Sequence, residues 1–159
     1  MTATTATTAT TAEGGHGTAE TIRYTADVVA VRPDGRVLLI ERGDDPYTGL
    51  LALPGGHVDK GERGLAAAVR ELKEETGVLV DAADLEFIGV YDEPDRDPRG
   101  RYVSVAYLAR VPAGTQARAG DDAASVHWVN LDALPEQLAF DHRLILADAR
   151  RAIRHGEVS

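Results

Sequence analysis

No cysteine occurs in the 159 residues of this chain. That absence excludes disulfides, thiolate chemistry and zinc–thiolate centres, although it does not by itself fix the compartment. No apolar run approaches the roughly 20 residues needed to span a bilayer. Positive charge is also short: 17 Lys and Arg against 26 Asp and Glu leave a net charge of −9. That balance argues against a nucleic-acid polymer as partner, because such binding needs basic patches. A small anionic substrate stays open, since a bound cation reverses the local field. The N-terminus lacks the basic start and apolar centre of a signal peptide, and the expected location is the cytoplasm, away from any membrane.

What is present has the composition of a soluble globular protein, 43% apolar and 27% charged. The length suits one domain with a real core. Residues 1–20 are Thr/Ala repetition followed by Gly14-Gly15-His16-Gly17, and read as a flexible tail with His16 solvated. The folded domain is expected over 21–159. Ala26 to Val31 and Arg36 to Glu41 read as a hairpin across Pro33-Asp34-Gly35, where proline presets φ and glycine tolerates positive φ. Leu50 to Leu53 reads as a short strand stopped by Pro54-Gly55-Gly56. Leu85 to Tyr91, Tyr102 to Val111 and Ser125 to Asn130 are further expected strands, the last carrying the single tryptophan, Trp128. Leu131 to Leu134 reads as one helical turn before Pro135. Asp141 stands where it can N-cap a last helix, whose apolar residues are Leu144, Ile145, Ala149, Ala152 and Ile153. With no repeating βαβ unit, the order predicts an α/β fold: a mixed sheet with helices on its faces.

One segment carries the chemistry. A helix is expected from about Arg63 to Thr76, with Leu65, Val69, Leu72 and Thr76 as its inward stripe. Ala66, Ala67 and Ala68 favour helix, and Gly77 sits where a C-terminal glycine cap belongs. Glu71, Glu74 and Glu75 then share one face at spacing i, i+3, i+4. Three like charges so close repel unless a cation lies among them, and a hard divalent ion with oxygen ligands is suited to that place. The plain alternative is a solvated acidic face.

The stretch from Gly56 to Val78 also resembles the box that marks the Nudix hydrolases. Gly56, Glu62, Arg70, Glu71, Leu72, Glu74, Glu75, Gly77 and Val78 occupy its fixed positions without departure. The resemblance implies an α/β/α sandwich and hydrolysis of a pyrophosphate bond with Mg²⁺ (or Mn²⁺). It implies that Glu71 and Glu75 are the main metal ligands, and that Glu74 shares a second ion or a bound water. The backbone carbonyl of Gly55 would complete the shell, and Arg70 would pair with Glu62 to hold the loop against the helix. An acidic residue outside the box commonly joins the chemistry in this family. Asp122, beside Asp121, is the first choice here and Glu93 the competitor, while Gly120-Asp121-Asp122 also reads as a plain turn.

Spacing and composition do not identify the group attached to the diphosphate. Pro94, sixteen residues beyond Val78, resembles the ADP-ribose pyrophosphatase subfamily, as do Arg96-Asp97-Pro98-Arg99-Gly100 and Ala139-Phe140-Asp141-His142. Arg42, Arg96 and Arg99 could each clamp a phosphate or a ribose hydroxyl, or stand as ordinary surface arginines. Tyr47, Tyr91 or Phe140 could stack on adenine, and His57 reads as a loop histidine. The leading expectation is hydrolysis of ADP-ribose to AMP and ribose 5-phosphate by a homodimer. Alternatives are oxidised nucleoside triphosphates, dinucleoside polyphosphates or nucleotide sugars as substrates, or a nucleotide-sensing module. The last is disfavoured by the acidic chain, by the intact carboxylates, and because nothing of domain size follows the last helix.

Overall fold

The computed structural model describes residues 17–120 and 122–156. His16, most of the expected tail and Asp121 lie outside the described residues. Among the described residues seven strands and two α-helices follow in the order β1 (Arg23–Val31), β2 (Arg36–Arg42), β3 (Leu51–Ala52), β4 (Gly55–His57), α1 (Gly64–Thr76), β5 (Leu85–Tyr91), β6 (Tyr102–Arg110), β7 (Ala123–Asn130) and α2 (His142–Gly156), with a 3-10 turn at Ala82–Asp84. No helix among the described residues is long and apolar enough to cross a membrane.

The strands form one mixed sheet, ordered β3-β2-β1-β6-β5, with β4 also paired to β1 and β7 to β2. β1 and β6 run parallel along their whole length, from Arg23↔Tyr102 to Val31↔Arg110. Gly35 has φ 82°, and the turn closes as expected, but β1 and β2 share only the pair Val31↔Val37. Beyond it they part. The start of β1 takes β4 as partner, with Asp27↔Gly55 in register, and the end of β2 takes β3 and β7. The short strand β4 occupies Gly55 to His57, where the sequence suggests only a stop. Its backbone fills the pairing that the diverging hairpin leaves open.

Alternation along β1 sends Val29 and Val31 to one face and Val28 and Ala30 to the other. The first set packs with Leu39, Leu108 and Ile145, Leu146 and Ala149 of α2. The second packs with Leu38, Val105 and Ala67, Ala68 and Leu72 of α1. The result is the expected α/β/α sandwich.

Three local expectations are corrected. On α1 the buried face is Gly64, Ala67, Ala68, Leu72, Glu75 and Thr76, while Leu65 and Val69 are only half-buried. The small residues let the helix lie close on the sheet: a Cβ at Gly64 would stand 2.3 Å from the Tyr24 hydroxyl. On α2, Leu144 is 50% exposed and Leu146 takes the core position beside Ile145. Leu131 to Leu134 is a turn rather than a helical turn. The Asn130 side chain accepts from Asp132 N–H (2.9 Å) and its carbonyl from Ala133 N–H (3.0 Å), a local arrangement that competes with helix.

The orientation of α1 is open to test. Ala68→Leu should cost about 1–3 kcal/mol by overpacking a filled interface, whereas Ala66→Leu on the exposed face should stay within about 0.5 kcal/mol. Urea unfolding of both variants distinguishes this packing from one centred on Leu65 and Val69.

Candidate active site

A cavity of about 370 Å³ opens where β1 and β2 part. Its walls include Asp27 from β1, Arg42 from β2, Gly55 and Gly56 from β4, and Glu71 and Glu75 from α1. The β5–β6 loop supplies Arg96, Asp97 and Arg99, and the approach to β7 supplies Asp122. Two close approaches fix the glycines. A Cβ at Gly55 would lie 2.3 Å from Asp27 Oδ1, and one at Gly56 would lie 2.5 Å from the Glu71 carboxyl carbon. Gly120 N–H donates to the Glu75 carbonyl (2.8 Å), which draws the Asp122 segment against the end of α1.

The box carboxylates do not share one environment. Arg70 donates to both Glu62 oxygens (2.9 and 2.8 Å), to the His57 carbonyl (2.9 Å), to Glu71 (2.8 Å) and to Glu74 (3.2 Å). The Arg70 bonds, helped by Asp59 N–H, hold Glu62 down at about 2. Thus the guanidinium of Arg70 is a cation serving Glu71 and Glu74, where the sequence alone suggests only a divalent ion. Glu75 has no such partner. It is 7% exposed, accepts from Gly55 N–H (3.0 Å), and burial pushes it up to about 8 despite that bond. The nearby charges of Glu71, Asp27 and Asp122 add to the rise. Burial likewise raises Glu71, against the pull of Arg70.

Among the described residues no three His, Asp or Glu side chains are gathered closely enough to enclose an ion. The donor chemistry nevertheless suits a hard cation: Glu71, Glu75 and Asp122 offer only oxygens to one cavity. Glu75 in particular is a buried carboxylate whose ionised form lacks a counter-charge. Glu74, Glu62 and Arg70 do not line the cavity; the last two tie the loop before α1 to the helix.

The arginines are also unlike one another. The Arg96 side chain is 4% exposed and grips Asp141 with two bonds (2.9 and 2.5 Å). Burial opposes its charge, but Asp141 outweighs burial and its pKa is raised. The Asp141 carboxylate expected to cap α2 is thus committed to Arg96. Arg99 pairs with Asp97 (2.8 Å) and lies over the rings of Tyr102 (4.8 Å) and Phe140 (5.5 Å). Arg42 lies over Phe140 as well (4.9 Å). Burial, then the charge of Arg99, lowers the Arg42 pKa. Glu93 is exposed and stands off the cavity, contributing only its carbonyl to a turn with Arg96 N–H (3.1 Å). Tyr91 is buried and donates to Asp148 (2.7 Å), so it offers no ring for stacking. Tyr47 meets Phe140 edge to face at 4.9 Å, and both adopt positive φ (64° and 51°). His57 lies on the cavity wall at the end of β4.

Among the cavity residues to which sequence reasoning gave no role are Asp27 and His142. The signal for Asp27 was a lone carboxylate inside the apolar run from Ala26 to Val31. For His142 it was its place in the segment Ala139-Phe140-Asp141-His142, which carried a resemblance but no role for the ring.

Residues 21–149 match the NUDIX domain. The chain belongs to the Nudix family. It is 45% identical over 121 residues to an ADP-ribose pyrophosphatase of Methanocaldococcus jannaschii, covering 76% of this chain and 69% of that one. It is 37% identical to an ADPR responsive transcriptional repressor, NtrR, of Acinetobacter baylyi, spanning 72% of this chain but only 46% of the repressor. Among solved structures, the NUDIX domain of Shewanella oneidensis NrtR complexed with ADP ribose aligns with TM-score 0.76 at 30% identity, over 84% of this chain and 90% of that one. A MutT/nudix family protein of Enterococcus faecalis aligns with TM-score 0.75 at 33% identity, over 87% and 64%. These likenesses and the intact Nudix box make the chain a Nudix pyrophosphohydrolase.

The raised Glu75 has a consequence for stability. Its proton is held more tightly folded than unfolded, so between pH 6.5 and 8 the folded state carries the extra proton and stability falls as pH rises. Without divalent cation, urea unfolding should show a loss of about 1–2 kcal/mol across that window. Added Mg²⁺ should flatten the curve by favouring the ionised carboxylate. A cation-free curve that is already flat would contradict the role given to Glu75.

Proposed function

We propose that this Nudix pyrophosphohydrolase splits the pyrophosphate bond of a nucleoside diphosphate derivative, ADP-ribose being the leading substrate and AMP and ribose 5-phosphate the products. One observation carries the reading most: Glu71, Glu75 and Asp122 share a single cavity with Arg42 and Arg99. A diphosphate needs cationic contacts along its oxygens, and the water attacking it needs an acceptor for its proton. The similarity to proteins named for ADP-ribose supports the choice of sugar nucleotide.

In this reading Glu71, Glu75 and the Gly55 carbonyl hold Mg²⁺ or Mn²⁺, with Glu74 sharing a second ion or a water. When bound, the ion neutralises the diphosphate oxygens and makes a water more acidic. Arg42 and Arg99 bind the anionic substrate, and their aromatic seats keep the guanidinium planes fixed. Arg96 acts by position: its pair with Asp141 fastens the β5–β6 loop to α2. Asp122 takes the proton of the attacking water. Water oxygen bonds to phosphorus as the bridging P–O bond breaks. Glu62 and Arg70 keep the loop and α1 in register, and Glu93 has no part. A cytoplasmic homodimer belongs to the same reading.

The similarity to the Acinetobacter repressor and to Shewanella NrtR supports a second reading, in which the cavity binds ADP-ribose without cleaving it. Incubation with ADP-ribose, nucleoside triphosphates and nucleotide sugars in ¹⁸O-water, with product masses recorded, separates the two. The expected result is AMP and ribose 5-phosphate, one carrying the label, with activity abolished by chelation and restored by Mg²⁺ or Mn²⁺. Glu75→Gln should lower kcat by roughly 10²-fold or more with the fold retained. Tight nucleotide binding without any product would move the protein to the sensing class.

A further inference from the structure

Asp27 is a charged residue in the middle of the sheet, 7% exposed, and its remaining exposure is to the cavity. Its Oδ2 accepts a hydrogen bond from the hydroxyl of Ser104, a buried residue of β6. Its Oδ1 lies against Gly55 and stands 3.8 Å from Nε2 of His142. His142 is buried at the start of α2, and its Nδ1 accepts from Leu53 N–H at 2.9 Å. The lone pair on Nδ1 is therefore used, and in the neutral ring the proton sits on Nε2. Burial favours that neutral form. The 3.8 Å separation is too long for a direct hydrogen bond.

The cavity thus presents a carboxylate acceptor and an imidazole N–H donor side by side. A metal ion is a poor match, because His142 has no lone pair left to give it. A phosphate oxygen is a poor match, because Asp27 repels it. A hydroxyl is both donor and acceptor, and one hydroxyl can give its proton to Asp27 Oδ1 while accepting from His142 Nε2. On a nucleoside diphosphate derivative such hydroxyls belong to the sugars. We propose that Asp27 binds a sugar hydroxyl of the substrate, with Ser104 holding its carboxylate in place and His142 donating Nε2–H to the same hydroxyl. The inference rests on the proposed substrate class and assigns a hydroxyl-reading residue within it.

The test is a hydroxyl-deletion panel on wild type and Asp27→Asn, the variant replacing one acceptor oxygen by a donor of the same size. The compounds are ADP-ribose and its analogues lacking one ribose hydroxyl at a time. If another diphosphate derivative proves to be the one turned over, the same deletions are made on it, so failure of the ADP-ribose assignment is seen separately. In wild type, one deletion should lower kcat/KM about 10–100-fold, because it leaves the buried Oδ1 of Asp27 without a donor. In Asp27→Asn the same deletion should matter less than about threefold. Mn²⁺ affinity, read by titration of the metal-free protein, should be alike in the two. The proposal is overturned if no single deletion matters in wild type, or if Asp27→Asn still discriminates. It is also overturned if the variant loses Mn²⁺ affinity while keeping its hydroxyl preference. Should Asp27→Asn fail to fold, Ser104→Ala takes its place: the same deletion should matter less there than in wild type, and an undiminished preference would overturn the proposal.

Discussion

The peptide of Gly55 is the point where sheet, helix and cavity are fastened together. On one side its Cα lies against Asp27 of β1, so closely that a side chain at 55 would strike Asp27 Oδ1. On the other its N–H donates to Glu75 of α1 at 3.0 Å. This one strand residue therefore sets the distance between a carboxylate from the sheet and a carboxylate from the helix. Two acidic groups would not choose to be buried so near each other. They are held there by the pairing of β4 with β1 and by the small-residue face of α1 on the sheet. Packing supplies the energy that the charges oppose, which is how strain at a site is maintained.

The opposite wall follows a different rule. Arg42 and Arg99 are like charges close enough for one to lower the pKa of the other. Phe140 lies under both guanidinium groups, and Asp97 binds Arg99. The π face and the carboxylate offset part of the repulsion. An anion placed between the arginines would relieve more of it. The cavity thus sets clustered acidic groups on the α1 side against two neighbouring guanidinium groups, Arg42 and Arg99, on the other. In the proposed reaction a diphosphate bound with its cation would meet both at once, so electrostatics favours the proposed substrate class more firmly than any particular sugar.

The parts of this arrangement that are local in sequence were legible there. The i, i+3, i+4 carboxylates, the Gly77 cap and the long strands depend on neighbours within a few residues. What could not be read was set by distant contacts. The buried face of α1 turned towards Ala67 and Ala68 because a sheet, not another helix, lies beneath it. Leu144 fits the helical period, yet the core selects Leu146. Arg96 resembles a substrate clamp in its sequence context, but Asp141, 45 positions away, takes both arms of its guanidinium. Asp27 and His142 were invisible as a pair, since only the fold places residues 115 apart at 3.8 Å.

Arg70 raises a question of competition. Its guanidinium bonds Glu71 and Glu74, and a cation arriving between the carboxylates must share or displace it. The geometry makes displacement mild. Two of its bonds go to Glu62 and one to the His57 carbonyl, and these anchor the loop to α1 without any help from Glu71. Only NH1 needs to be given up. Glu74, half exposed, loses little on release because a solvated ion pair contributes little. Glu71 is more buried and would exchange one positive partner for another of higher charge. Arg70 can therefore keep the helix carboxylates from repelling one another while the loop stays fixed, and in the proposed mechanism a bound cation would reorganise side chains and leave the backbone in place.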